Sequence, residues 1–320
     1  MLKTILKRFL QIIPILFIVV TIIFVITRMI PGDPAAVMLG PQAPVEAVND
    51  LREELGLNKS ISQQYFMYLK DILKGDLGKS YYYNESVVKL ITEKFPNTLS
   101  LSLVAIIIAL IIGVPVGIIS ATKQYSFFDY ISMIAALVGV SMPIFWLGLM
   151  MVLVFSVKLA WLPSIGMGSI DNGLWDLVSH YILPSICLAT IPAATFARIT
   201  RSSMLEIIKQ DYIKALRSKG LKEKIVVWKH ALKNALPPII TVIGLQMSSL
   251  LAGAILTETI FSWPGMGKLI VDAISNRDYA LIQSTVLFVA LIYVVINLIV
   301  DIAYLYLNPK VSYEAGKGGE

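Results

Sequence analysis

Residues 73–80 read LKGDLGKS. A Gly-Lys-Ser ending is the part of a phosphate loop in which the lysine reaches a nucleotide's phosphates and the hydroxyl reaches magnesium. The loop also needs a glycine five positions before Gly78, and Leu73 stands there. WPGMGK at 263–268 fails the same test, because Ser262 occupies the place of the first glycine. Neither stretch supports nucleotide chemistry. His180 and His230 are the only histidines, and no pair of His or Cys has metal-ligand spacing. The single Cys187 cannot form an internal disulfide. No catalytic set, no bound cofactor and no metal are expected in this chain.

The dense chemistry lies elsewhere. Ten Lys and Arg fall between Arg198 and Lys233, against three acids. They stand in a chain of 320 residues that is 57% hydrophobic and only 15% charged, with a mean hydropathy of +0.75. A soluble domain carries charge on about a quarter of its residues. The island therefore needs elements that hold it beside a bilayer.

Apolar runs of bilayer-spanning length recur at roughly 9–30, 98–120, 130–157, 181–200, 237–257 and 282–306. The expected fold class is all-α, a polytopic membrane protein of six transmembrane helices. The fourth run is short and carries Pro184 and Pro192, which suits a helix inside a bundle better than one bathed in lipid. The first run begins after Lys3, Lys7 and Arg8, like a signal peptide. It extends to Ile30 and is followed by PGDP rather than small residues, so it reads as a retained anchor.

Lys and Arg collect in cytoplasmic loops. With a basic amino terminus inside, six spans place both termini in the cytoplasm. Segment 31–97 is then external, with nine acids and seven bases, and 258–281 is external with three acids and two bases. The island at 201–236 falls inside. The chain divides into an anchor at 1–30, an external segment at 31–97, a five-span core at 98–307 and a cytoplasmic tail at 308–320.

Within the island, Leu205, Ile208, Tyr212 and Leu216 recur at helical spacing, as do Ile225, Trp228 and Leu232. Gly220 separates the two sets, where a tight turn needs positive φ. The reading is helix, glycine turn, helix, closed by Leu236, Pro237 and Pro238 where the fifth span begins. Such an element could hold topology against anionic lipid, or dock on a cytosolic partner. Being wedged between two spans, it is a poor nucleic-acid reader, and no nucleic acid is expected. Periodicity alone does not choose between lipid and partner.

Candidate translocation-path residues are polar positions inside spans. Gln246, Ser248 and Ser249 form a stripe in span five, with Gly244 and Gly253 allowing close helix approach. Asn297 and Asp301 share a face of the last span. The selected set is Gln246, Ser249, Asn297 and Asp301. Each alternative stays open: helix glue for the stripe, an interfacial ion pair for Asp301.

Several stretches carry a resemblance. IPGDP (30–34), LGLNKSISQQYFMYLKDILKGDLGKS (55–80), DYIKALRSKGL with HALKNALPP, and TETIFSWPGMGKL (257–269) with RDY (277–279) occur in this order. Together they resemble the B-type membrane subunit of bacterial dipeptide/oligopeptide ABC importers, a family that includes nickel permeases, and the likeness covers almost the whole chain. It implies a type I importer permease fold in the bacterial inner membrane. It also implies a second homologous permease subunit, two cytosolic ATPase subunits that use ATP and Mg, and an extracytoplasmic substrate-binding protein. By matching positions, Tyr212, Ala215, Arg217, Ser218, Lys219, Gly220 and Leu221, with Asn234 and Pro237, would couple to the ATPases.

The sequence departs from the family at Lys214-Ala215-Leu216, where the broad signature has acid-Ala-Ala. It departs again at Ser218, and at Asn308, Pro309 and Lys310, where the peptide branch ends Asp-Pro-Arg. These changes weaken assignment to a subfamily. Peptide is the favoured substrate over nickel, since no histidine-rich path is present. An ion-coupled secondary transporter is the rival, and it would need acids near the bilayer midplane.

Overall fold

A computed structural model describes residues 2–29, 32–40 and 42–307, with side chains from residue 11 to 300 (252 and 253 excepted) and at 302. The amino-terminal helix α1 (Leu2–Met29) comes first. A small unit then follows, with α2 (Pro34–Leu39), α3 (Val45–Glu54), α4 (Ile61–Leu73) and a two-stranded ribbon. In that ribbon β1 (Lys79–Ser80) pairs antiparallel with β2 (Glu85–Ser86). The bundle consists of α5 (Val87–Thr122), α6 (Phe127–Ser141), α7 (Ile144–Met151) and α8 (Leu174–Ile208). It continues with α9 (Asp211–Ser218), α10 (Glu223–Ile225) and α11 (Leu232–Gly253). The chain closes with α12 (Ile255–Ile260), α13 (Met266–Ser275) and α14 (Tyr279–Leu307).

Five helical runs are long and apolar enough to span a membrane, and a bent pair makes six. The expected third span at 130–157 is not one straight helix. It is α6 followed by α7 and a π-helical stretch Val152–Lys158, bent by 101°. Pro143 lacks an amide proton and disfavours helical backbone before it, and Met142 is extended (φ −79°, ψ 127°).

Pro237 and Pro238 do not mark a helix start. A continuous helical run extends from Glu223 through a π-helical stretch Val226–Ala231 and both prolines to Leu251. The fourth run, short on paper, is the 35-residue α8 with Pro184 and Pro192 inside it, and more than half of its apolar window is buried. Neighbours let such prolines persist in a packed helix.

Helices α5 and α8 form the core pair, with Leu101, Ala105, Ala109, Leu188, Ala189 and Phe196 all buried between them and their neighbours. Gly113 and Gly117 permit the close approach. A Cβ on Gly113 would collide with the Ala193 carbonyl, and one on Gly117 with the carbonyl of Ala197 and with Thr200. Two glycines four apart put both on one helix face, the spacing that lets transmembrane backbones touch. The same device recurs at Gly244 of α11, which abuts Val300 of α14.

The helices alternate in direction, so their connections sort to two ends. One end holds residues 123–126 and 209–222, the basic face. The other, the far face, holds residues 32–86, 159–173 and 261–278. On the far face the small unit is tied to the bundle by buried polar bonds. Ser80 Oγ donates to Asp278 Oδ2 at 2.5 Å and Ser284 Oγ to the Leu77 carbonyl at 2.8 Å, while Gln283 Nε2 donates to Thr27 Oγ1 at 2.6 Å and joins α14 to α1. On the basic face Arg201 grips the buried Asp129 with two bonds of 2.6 and 2.7 Å, locking α8 to the start of α6.

Candidate functional site

The expected helix–turn–helix resolves into three helical pieces. Leu205 and Ile208 end α8, a break at 209–210 follows, and Tyr212 and Leu216 belong to the short α9. The spacing is helical across the break, which is why the residues read as one helix. Ile213, fully buried, roots α9 in a cluster with Met204, Val226, Val227 and Ala231. The rest of α9 projects away from the bundle: Tyr212, Ala215, Arg217, Ser218, Lys219 and Gly220 are exposed, and Leu221 is half-buried.

Gly220 is the tip, with φ at +77°. Its amide donates to the Arg217 carbonyl at 2.9 Å. Nothing lies within 4 Å of the place a Cβ would take, so the tip stands clear. Across the turn, the Arg217 guanidinium forks onto Glu223 with bonds of 2.6 and 3.0 Å. That bond holds the Arg217 pKa above its ordinary value. Asn234 Nδ2 donates to Tyr212 Oη at 2.8 Å and to the His230 carbonyl at 3.1 Å. This joins the two halves of the motif and ties α9 to the start of α11. Pro237, half-buried, lies a turn further along α11. The structure therefore brings together seven signature residues around one protruding turn, with Asn234 and Pro237 at its base. The arrangement has two roots, α8 and the α10–α11 run, and a free crest. Mechanically it can accept a push and deliver it to both spans.

Among the described residues, Gln246 and Ser249 lie on α11 and Asn297 on α14, and no pocket lining joins them. Asn297 donates to the Tyr293 carbonyl of its own helix at 2.8 Å and borders a cleft with Gln11 and Ile15 of α1. On α11, Ile243, Met247 and Leu250 pack toward the α5–α8 core, while Ser249 is exposed alongside Leu245 and Gln246 is half-buried. Ser248 is fully buried, with no partner for its hydroxyl among the described residues. The Asp301 side chain lies outside the described residues.

A buried polar centre on the far face escaped the sequence reading. Glu258 is fully buried, and its carboxyl accepts from Thr98 Oγ1 at 2.6 Å and from the amides of Gly267 and Lys268 at 2.7 and 3.2 Å. Burial pushes its pKa up, and these three bonds oppose the rise. Gly265 and Gly267 leave room for the carboxyl, since a Cβ on either would crowd it. Trp263 Nε1 and Asn97 complete the join, donating to the Asn97 and Pro264 carbonyls respectively. Glycines flanking one acid in TETIFSWPGMGKL are the only local signal for this lock. His180 sits at the far face with Nδ1 2.7 Å from the Asp176 carbonyl, and His230 is half-buried on the opposite side. Among the described residues no cluster of His, Cys, Asp or Glu is arranged to hold a metal.

Comparison with known proteins places this architecture. Residues 113–313 match the family described as binding-protein-dependent transport system inner membrane component, and residues 1–102 match its amino-terminal counterpart. The dipeptide transport system permease protein DppB of Alkalihalophilus pseudofirmus is 48% identical over 98% of this chain and all of its own length. The di/tripeptide transport system permease protein DppB of Pseudomonas aeruginosa is 43% identical, and the glutathione transport system permease protein GsiC of Escherichia coli 40%, each with the same coverage.

A chain from an inward-facing structure of the MetNI methionine ABC transporter superposes with a TM-score of 0.58. The identity is 18%, over 69% of this chain and 97% of that one, so this likeness bears on the fold alone. The fold is that of a type I importer permease, and membership implies ATPase and substrate-binding partners. From its all-helical multi-pass bundle, its protruding turn and these matches, the chain is a permease subunit of the binding-protein-dependent transport system inner membrane component family, on the B-type branch of the peptide ABC importers.

Proposed function

We propose that this chain forms half of the translocation path of an ATP-driven importer of di- and oligopeptides. A second homologous permease subunit supplies the other half. Two cytosolic ATPase subunits, which bind the ATP and Mg, sit on the basic face. An extracytoplasmic binding protein delivers substrate to the far face. Both termini then lie in the cytoplasm of a bacterial cell, and the basic island follows the bias of cytoplasmic loops. Peptide as substrate is supported by the names of the relatives, which transport dipeptides, di/tripeptides and glutathione.

One observation carries the coupling role: α9 is anchored at its root by Ile213 and presents an uncovered glycine tip held by the Arg217–Glu223 fork. An ATPase that grips the crest moves α8 and α11 together, which reopens the cavity on the other side of the membrane. Gln246, Ser249, Asn297 and Asp301 remain proposed path residues. With Ser249 exposed, its proposed partner surface is the second permease subunit.

The test is purification in mild detergent from the native operon, followed by reconstitution with the binding protein. The expected result is co-purified ATPase and permease subunits, and dipeptide uptake that requires ATP. Uptake without ATP that follows a proton gradient would overturn the reading.

A further inference from the structure

Between the far-face unit, α1 and α14 lies a half-open cavity, mainly apolar with a few polar groups in its wall, that the coupling element does not use. Its volume is about 210 Å³, space for roughly seven waters at liquid density. The first turn of α14 is its floor, and the end of α1, α4 and the ribbon are its walls.

One cation in it lacks a counter-ion and one buried hydroxyl lacks an acceptor among the described residues. The Arg28 Nε donates to Gln64 at 2.8 Å, and the guanidinium lies 5.1 Å from the Phe24 ring centre and 5.6 Å from that of Tyr279. Among the described residues, no carboxylate is within ion-pair reach of it. Asp33, which borders an adjoining cleft with Arg28, is held by Arg52 at 2.5 Å. Tyr68 lines the same cavity, and its hydroxyl is buried beside it with no partner among the described residues. Tyr68 stacks on the Phe24 ring that Arg28 also overlies. Burial pushes the Tyr68 pKa up, and the Arg28 charge opposes it.

Two acids share the wall. Asp71 lies one helical turn beyond Tyr68 on α4 and has no cation partner among the described residues, and Asp76 uses one oxygen to accept from the Gly78 amide. A half-buried guanidinium without a counter-ion and a buried phenol without an acceptor are costly unless a ligand supplies the missing partner. A carboxylate matches both donors, because its two oxygens fit the guanidinium fork and leave lone pairs for a hydroxyl.

We propose that this cavity binds a small zwitterion, a free amino acid or a short peptide. Its carboxylate lies on Arg28 and Tyr68, and its ammonium group on Asp71 and Asp76. The chemistry stands on these residues; that the cavity opens outward rests on the orientation proposed above. A ligand there joins α1, α4, the ribbon and α14, and so stiffens the unit that the delivering protein meets.

The test is calorimetry on the assembled transporter in detergent, without binding protein or ATP. The probes are L-alanine, L-alanyl-L-alanine and the doubly capped N-acetyl-L-alanyl-L-alaninamide. At least one uncapped probe is expected to bind, with the capped one weaker by about tenfold or more, and their order tells amino acid from peptide. Arg28→Gln should weaken binding by about tenfold. Tyr68→Phe, which removes a hydroxyl and leaves the packing, should weaken it about threefold.

Equal binding of the capped probe, an unaffected Arg28→Gln together with an unaffected Tyr68→Phe, or no binding to the unaltered protein overturns the proposal. So does a co-purified phosphatidylglycerol that Arg28→Gln releases and neither zwitterion displaces. Normal ATP-driven dipeptide uptake with failed calorimetry sinks the cavity alone. Zwitterion binding without peptide uptake sinks the transport reading alone.

Discussion

Gly220 holds a left-handed backbone with empty space where a side chain would begin. Replacement by alanine therefore meets no neighbour, and its cost is backbone strain of about 1–2 kcal/mol. Proline is different: it fixes φ near −65° and deletes the amide that bonds the Arg217 carbonyl. In proteoliposomes Gly220→Ala should keep most peptide uptake, whereas Gly220→Pro should lower uptake per ATP hydrolysed by about tenfold or more with unchanged insertion. Equal stoichiometry in the proline variant would remove the tip from coupling. The Arg217–Glu223 fork is partly exposed, so Arg217→Ala should cost less than about 1 kcal/mol in thermal unfolding. The turn was legible in the sequence because glycine is the residue that takes positive φ freely. The Tyr212–Asn234 bond was not, because it depends on how two helices fold back on each other. Glu258 was illegible for a related reason: the amides that satisfy it are brought to it by packing, and an isolated acid in an apolar loop carries no mark of burial.

Between elements, buried polar pairs and small residues set the joins. Asp129 is almost fully buried against Arg201, and truncating it leaves an uncompensated charge. Because Arg201 is partly exposed, Asp129→Ala should destabilise the α6–α8 join by about 1–3 kcal/mol, seen as a lower unfolding temperature of the purified protein. Gly113→Leu should do comparable harm by forcing α5 away from the Ala193 carbonyl. A Gly113→Leu protein with unaltered thermal stability would contradict the packing described. Glycines 113 and 117 were readable as a spaced pair, but their partner helix was not. Prolines show the limit most clearly. Pro143 breaks a span, Pro184, Pro192, Pro237 and Pro238 do not, and an apolar flank surrounds all five. Whether neighbours satisfy the freed carbonyls decides the outcome, and that is a tertiary property.

At the scale of the whole molecule, charge and hydropathy carried the topology well: six apolar runs, two faces and a basic loop on one of them all survive in the fold. Orientation is directly testable because Cys187 is buried and adds no background labelling. In intact spheroplasts an impermeant maleimide should modify Tyr82→Cys and spare Lys219→Cys, with both labelled after lysis. The reverse pattern would invert the molecule and end the coupling proposal. The unbroken passage of the helix through Pro237 and Pro238 has a mechanical consequence. Its 29 residues amount to a stiff strut of about 43 Å at 1.5 Å per residue. A pivot of about 5° at the glycine-tipped foot swings the head by roughly 4 Å over that length. The head leads directly into the α12 segment where Glu258 clasps the α13 amides, so a modest tug at the foot arrives as a displacement wider than a hydrogen bond is long.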